Sequence, residues 1–69
     1  MTWEELKEKA IEKGYRLDNT DCCFEVIREP IGEEIPKSFY KDGDIFIDGT
    51  LISRKRTPDQ MYQIMLALR

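Results

Sequence analysis

The segment KSFYKDGDIFIDGTLISRK, residues 37–55, decides the fold. Asp42-Gly43 and Asp48-Gly49 have the composition of two-residue hairpin turns, where glycine supplies the positive φ that primed turns demand. Gly49-Thr50 is an alternative frame for the second. The turns predict three antiparallel strands, Lys37–Lys41, Asp44–Asp48 and Leu51–Lys55. A two-residue turn at Asp42-Gly43 sets Phe39 beside Phe46 and Tyr40 beside Ile45. The second turn sets Leu51 with Phe46, and Ile52 with Ile45 and Ile47. One sheet face is then expected to carry Tyr40, Ile45, Ile47 and Ile52, and the other Phe39, Phe46 and Leu51.

Upstream, residues 15–29 read as extended. Asn19-Thr20-Asp21 is turn chemistry, which predicts a hairpin of Tyr15–Leu17 with Cys23–Glu29. Phe24 and Val26 are expected on one side, with Cys23, Glu25 and Ile27 on the other. The stretch from Pro30 to Pro36 is a loop, because both prolines lack the N–H a ladder needs.

A helix is signalled at each end. Thr2 and Glu5 form a capping box, Trp3, Leu6, Ala10 and Ile11 an apolar stripe, and Gly14 the stop, with Tyr15 folding back on the last turn. Glu4, Glu8 and Glu12 face water among Lys7, Lys9 and Lys13. Near the other end Thr57 caps, Pro58 takes the first position, Asp59 suits the positive end and Gln60 completes the box. Met61, Ile64, Met65 and Leu68 make its core stripe, and Tyr62 and Leu66 a second one. The expected fold is α+β, two helices packed on a small antiparallel sheet in the order α-β-β-β-β-β-α, with residues 1–69 as one domain.

Composition narrows the chemistry. Sixty-nine residues carry 11 basic and 14 acidic side chains, a net charge of −3, and no histidine. The acidic balance argues against a general nucleic-acid binder, which presents a basic face. A chain this short buries only about 60% of its unfolded surface, so partners, metals or disulfides are common aids to stability. Cys22 and Cys23 are adjacent and read as structural thiols, one packed inward and one outward. Zinc lacks a ligand set, and no cofactor is expected. The acidic N-terminus and the short apolar runs indicate no signal peptide and no membrane span, hence a cytoplasmic location.

No catalytic constellation is legible. Ser38 and Ser53 lie in strands without a base to activate them. Asp42, Asp44 and Asp48 are spaced loosely like a calcium loop, but Ile45-Phe46-Ile47 is strand and keeps the carboxylates apart. Glu25, Glu29, Glu33 and Glu34 lack neighbours that would separate their pKa values. The chain is expected not to be an enzyme.

Two features suggest binding. If both helices cover the isoleucine face, Phe39, Phe46 and Leu51 remain as an aromatic patch of the kind found at dimer or partner interfaces. Arg54, Lys55 and Arg56 precede a capped helix and form the alternative site, for an anion or nucleic acid, with Tyr62 as a stacking surface. Otherwise they are a solvated strand end that discourages edge pairing.

Leu6, Ala10 and Lys13-Gly14-Tyr15, followed by strands and a closing helix, resemble in outline the HicA-type mRNA interferase toxins, which have an α-β-β-β-α fold. The histidine that family uses has no counterpart here. Trp3-Glu4-Glu5-Leu6-Lys7 and Arg56-Thr57-Pro58-Asp59-Gln60-Met61 resemble small proteins of Gram-positive gut bacteria and their mobile elements. That resemblance implies a stand-alone domain, phage- or plasmid-borne, acting on a host protein. The expected function is a protein-interaction module, binding a protein partner or itself as a homodimer. The alternatives are a nucleic-acid binder through Arg54–Arg56 and an acidic inhibitor of a nucleic-acid-handling enzyme.

Overall fold

The computed structural model describes residues 1–19, 25–29, 32 and 35–68. The elements are α1 (Trp3–Glu12), β1 (Arg16–Asn19), β2 (Glu25–Arg28), β3 (Lys37–Tyr40), β4 (Ile45–Ile47), β5 (Thr50–Ser53) and α2 (Pro58–Ala67). This is an α+β fold with the expected order. Each strand pairs antiparallel with its sequence neighbour, giving a five-stranded sheet ordered β1-β2-β3-β4-β5. Cys22, Cys23 and Phe24, and most of the loop between the two prolines, lie outside the described residues.

Both helix starts form as their sequences demand. The Glu5 N–H donates to Thr2 Oγ1 at 3.1 Å, and Thr2 N–H returns to Glu5 Oε1 at 3.0 Å. The Gln60 N–H reaches Thr57 Oγ1 at 3.2 Å, and Thr57 N–H reaches Gln60 Oε1 at 2.9 Å. Each box satisfies two N–H groups that the helix cannot pair internally. At the end of α1, Gly14 takes φ +94°, and the Tyr15 N–H turns back to the Ala10 carbonyl at 3.0 Å. That closure drops Tyr15 into the core, edge-on to Phe39 with ring centroids 6.1 Å apart. Tyr15 therefore precedes the first strand, which runs Arg16–Asn19 instead of Tyr15–Leu17.

The largest correction concerns the turn at Asp42-Gly43. Three residues, Lys41, Asp42 and Gly43, form the loop: the Tyr40 N–H donates to the Asp44 carbonyl at 2.9 Å, and Gly43 N–H to the Tyr40 carbonyl at 2.9 Å. Asp42 Oδ1 accepts from the Asp44 N–H at 3.1 Å, and Gly43 holds φ +100°. A three-residue hairpin ending in a positive-φ glycine shifts pairing by one residue relative to the two-residue turn. A shift of one exchanges the faces of the strand. Phe39 accordingly lies opposite Ile45, and Ser38 opposite Phe46. The second turn is the expected two-residue one, with Asp48 at φ +53° and Gly49 at +78°, and Leu51 opposite Phe46. Ile45 then pairs with Ser53, leaving Ile52 as the extra residue of a bulge, 48% exposed and not packed on the isoleucine face.

Both helices cover the same face. Trp3, Leu6 and Ala10 of α1, Met61 and Met65 of α2, and Tyr15 close over Ile27, Phe39 and Ile45, with Ile47, Tyr62 and Ile64 at the margin. Ile11, expected in the stripe, is 52% exposed, and Leu68 also lies at the surface. Ile11 sits on the flank of α1, past the arc that meets the sheet.

Candidate functional site

The register divides the side chains between two environments. Ile27, Phe39 and Ile45 face the helices, so Val26, Tyr40, Phe46 and Leu51 occupy the other face, where no described helix packs. Tyr40 and Phe46 are diagonal neighbours across β3 and β4, edge to face, with centroids 5.3 Å apart at 64°. Leu51 lies directly opposite Phe46 on β5. All three are half-buried and form a continuous apolar row. Val26 lies between its cross-strand partners Asp18 and Tyr40 and is fully buried. Toward β1 the same face turns polar: Asp18 accepts from Arg28 Nε at 2.8 Å and pairs with Arg16 Nη1 at 3.4 Å.

Of the three residues expected in the aromatic patch, the structure keeps Phe46 and Leu51 together and removes Phe39. Phe39 is fully buried in the helix-covered core. Tyr40 takes its place on the face away from the helices, which also carries the buried Val26 and Ser38. The signal for this was the three-residue loop, in which Asp42 closes on the Asp44 N–H and Gly43 follows.

Arg54, Lys55 and Arg56 are exposed after β5, but their backbone is firmly placed. Lys55 takes φ +53° and the Arg56 N–H donates to the Gly43 carbonyl at 3.0 Å. A Cβ on Gly43 would stand 2.7 Å from both N and O of Arg56, so only glycine lets the two segments approach. Arg56 Nε donates to Ser53 Oγ at 3.2 Å, and its side chain borders an open concavity of about 450 Å³ with Asp59, Gln60, Gln63 and Ile64. Asp59 already places a carboxylate at the positive end of α2, where an anion would have to sit. Tyr62 is engaged elsewhere, beneath the ammonium groups of Lys9 and Lys13 at 5.5 and 5.8 Å.

A second polar cluster joins α1 to β2. Trp3 Nε1 donates to Glu25 Oε2 at 2.5 Å, and Lys7 Nζ lies 3.0 Å from the same oxygen and 2.8 Å from Glu4 Oε2. The Trp3 hydrogen bond, and then Lys7, hold the Glu25 carboxyl below its ordinary pKa. Glu4, and then Glu25, hold Lys7 above its own. Both groups are fixed in their charged forms, the reverse of the near-neutral poise that proton transfer requires. The cluster fastens the first helix to the sheet.

Among the described residues, no three His, Cys, Asp or Glu side chains converge to hold a metal ion. No described helix is long and apolar enough to cross a membrane. Comparison of the chain with known protein families, curated proteins and solved structures finds no match.

Proposed function

We propose that this chain is a non-enzymatic protein-interaction module that receives a protein partner on the sheet face away from the helices, through Tyr40, Phe46 and Leu51. The supporting observation is the apolar row itself, which lies on the face that neither helix covers. Aromatic side chains anchor interfaces because they bury large areas at little cost in rotamer freedom.

The test is a pull-down from host lysate with and without nuclease, using the wild-type chain and Phe46→Asp. A nuclease-resistant protein captured by the wild type and lost by the variant supports the reading. Capture that survives Phe46→Asp overturns it.

The second reading is nucleic-acid binding through Arg54, Lys55 and Arg56, favoured by three consecutive exposed cations. It requires capture that disappears with nuclease and an affinity that falls steeply with salt. Binding unchanged by salt would exclude it.

A further inference from the structure

The two edges of the sheet are unequal. At β5 the pairing is broken by the bulge at Ile52, and three cations follow, features that guard an edge against added strands. At β1 all four residues keep an unbroken register with β2: Arg16 with Arg28, Leu17 with Ile27, Asp18 with Val26 and Asn19 with Glu25. No described strand lies beyond β1.

The hydrogen-bond alternation shows which groups this edge offers. The Lys41 N–H donates to the Glu25 carbonyl at 3.1 Å and Glu29 N–H to the Lys37 carbonyl at 2.9 Å. Odd-numbered residues of β2 thus bond toward β3, and Val26 and Arg28 bond toward β1. Their partners Asp18 and Arg16 bond inward, so Leu17 turns its N–H and C=O to the outside. Its side chain, on the helix-covered face, is 41% exposed.

We infer that β1 pairs antiparallel with β1 of a second copy, centred on Leu17, to build a continuous ten-stranded sheet. The two-fold axis sets Leu17 against the partner's Leu17, exchanging both N–H···O bonds. It also sets Arg16 against the partner's Asp18, and Asp18 against the partner's Arg16. The strand is its own charge complement in this register. A neighbouring register would oppose side chains from different faces of the sheet. Ile11 adds apolar surface above the seam. It lies one turn beyond Lys7, which lines a concavity with Leu17, Asp18 and Asn19, while Lys9 and Lys13 occupy the other flank, over Tyr62. The axis runs perpendicular to the sheet, so the two Tyr40–Phe46–Leu51 rows share one side. The inference does not depend on what those rows bind.

Sedimentation equilibrium over a wide concentration range tests it, on the wild type, Arg16→Asp, the charge swap Arg16→Asp with Asp18→Arg, and Phe46→Asp. The wild type should reach twice the 8.2 kDa chain mass. Arg16→Asp opposes like charges twice in each dimer and should raise the dissociation constant about tenfold. The swap restores complementarity across the axis, keeps an opposite charge facing Arg28, and should recover the dimer. Circular dichroism on each variant confirms that the fold is kept. A chain that stays monomeric at every concentration overturns the inference. So does a dimer indifferent to Arg16→Asp, or one abolished only by Phe46→Asp.

Discussion

The Tyr40 N–H reaches the Asp44 carbonyl at 2.9 Å, and that bond determines which aromatic side chain is core and which is surface. It closes a three-residue loop, sets Phe39 opposite Ile45, and leaves Phe46 on the far face beside Tyr40. Phe39→Ala should therefore cost about 3–5 kcal/mol and leave little folded protein in a domain this small. Phe46→Asp should keep the helical circular-dichroism signal and a cooperative urea transition. Chemical denaturation of the two variants side by side checks the assignment, and comparable losses would contradict it.

Gly43 and Gly49 both hold positive φ, at +100° and +78°, yet their surroundings differ. A methyl at Gly43 meets the Arg56 backbone at 2.7 Å, whereas nothing lies within 4 Å at Gly49. Gly49→Ala should lose about 1–2 kcal/mol from backbone conformation alone. Gly43→Ala should lose about 1–3 kcal/mol more, from the collision. Thermal unfolding of both variants measures the difference directly.

Trp3→Phe removes the donor to Glu25 while keeping an aromatic ring. The Glu25 titration should move up toward the ordinary value of 4.5, which NMR of the side-chain carboxyl would follow. Because the folded pKa is depressed, this group's contribution to stability is present above that ordinary value. It is lost as pH falls through the lower folded pKa. Wild-type stability should thus decline in acid below the usual glutamate range, and less steeply in the variant. Lys7 acts at the other extreme: its raised pKa gives a contribution present below 10.5 that disappears as pH rises through the folded value.

Thr57→Ala removes the hydroxyl that accepts from the Gln60 N–H in the α2 capping box and should cost about 1 kcal/mol, as should Thr2→Ala, which removes the acceptor for the Glu5 N–H in α1. The two boxes share no hydrogen-bond partner, so the losses should add unless the neighbouring helix starts are coupled. A double variant much less stable than the sum would show that the two helix starts are coupled, through the amino group of Met1 that lies 3.2 Å from Asp59.

The helices were legible because their signals are local. A threonine cap, a carboxylate or amide three residues on, and glycine or proline at the ends each act within one turn of chain. The second hairpin was equally plain, since Asp48-Gly49 admits the two-residue turn that forms. The first was not, because Asp42-Gly43 also suits a three-residue loop, and the choice rests on packing of Gly43 against Arg56 across the sheet end. One residue of slip then misplaced Phe39 and Tyr40 together. Ile52 and Ile11 escaped for related reasons: a bulge on β5 and the angular limit of a helix face, both set by tertiary contacts.

The strictly sequential strand order also bears on how the chain reaches this state. Every ladder joins neighbours along the chain, so each hairpin can close over a short loop with little entropic penalty, and growth can proceed strand by strand. Docking of α1 against α2 joins segments as far apart as Met1 and Asp59, 58 residues distant. That closure belongs at the end of folding, once the sheet has brought the two helices to the same side. Loosening it first would expose Met61 and Met65 while leaving the strand pairing intact.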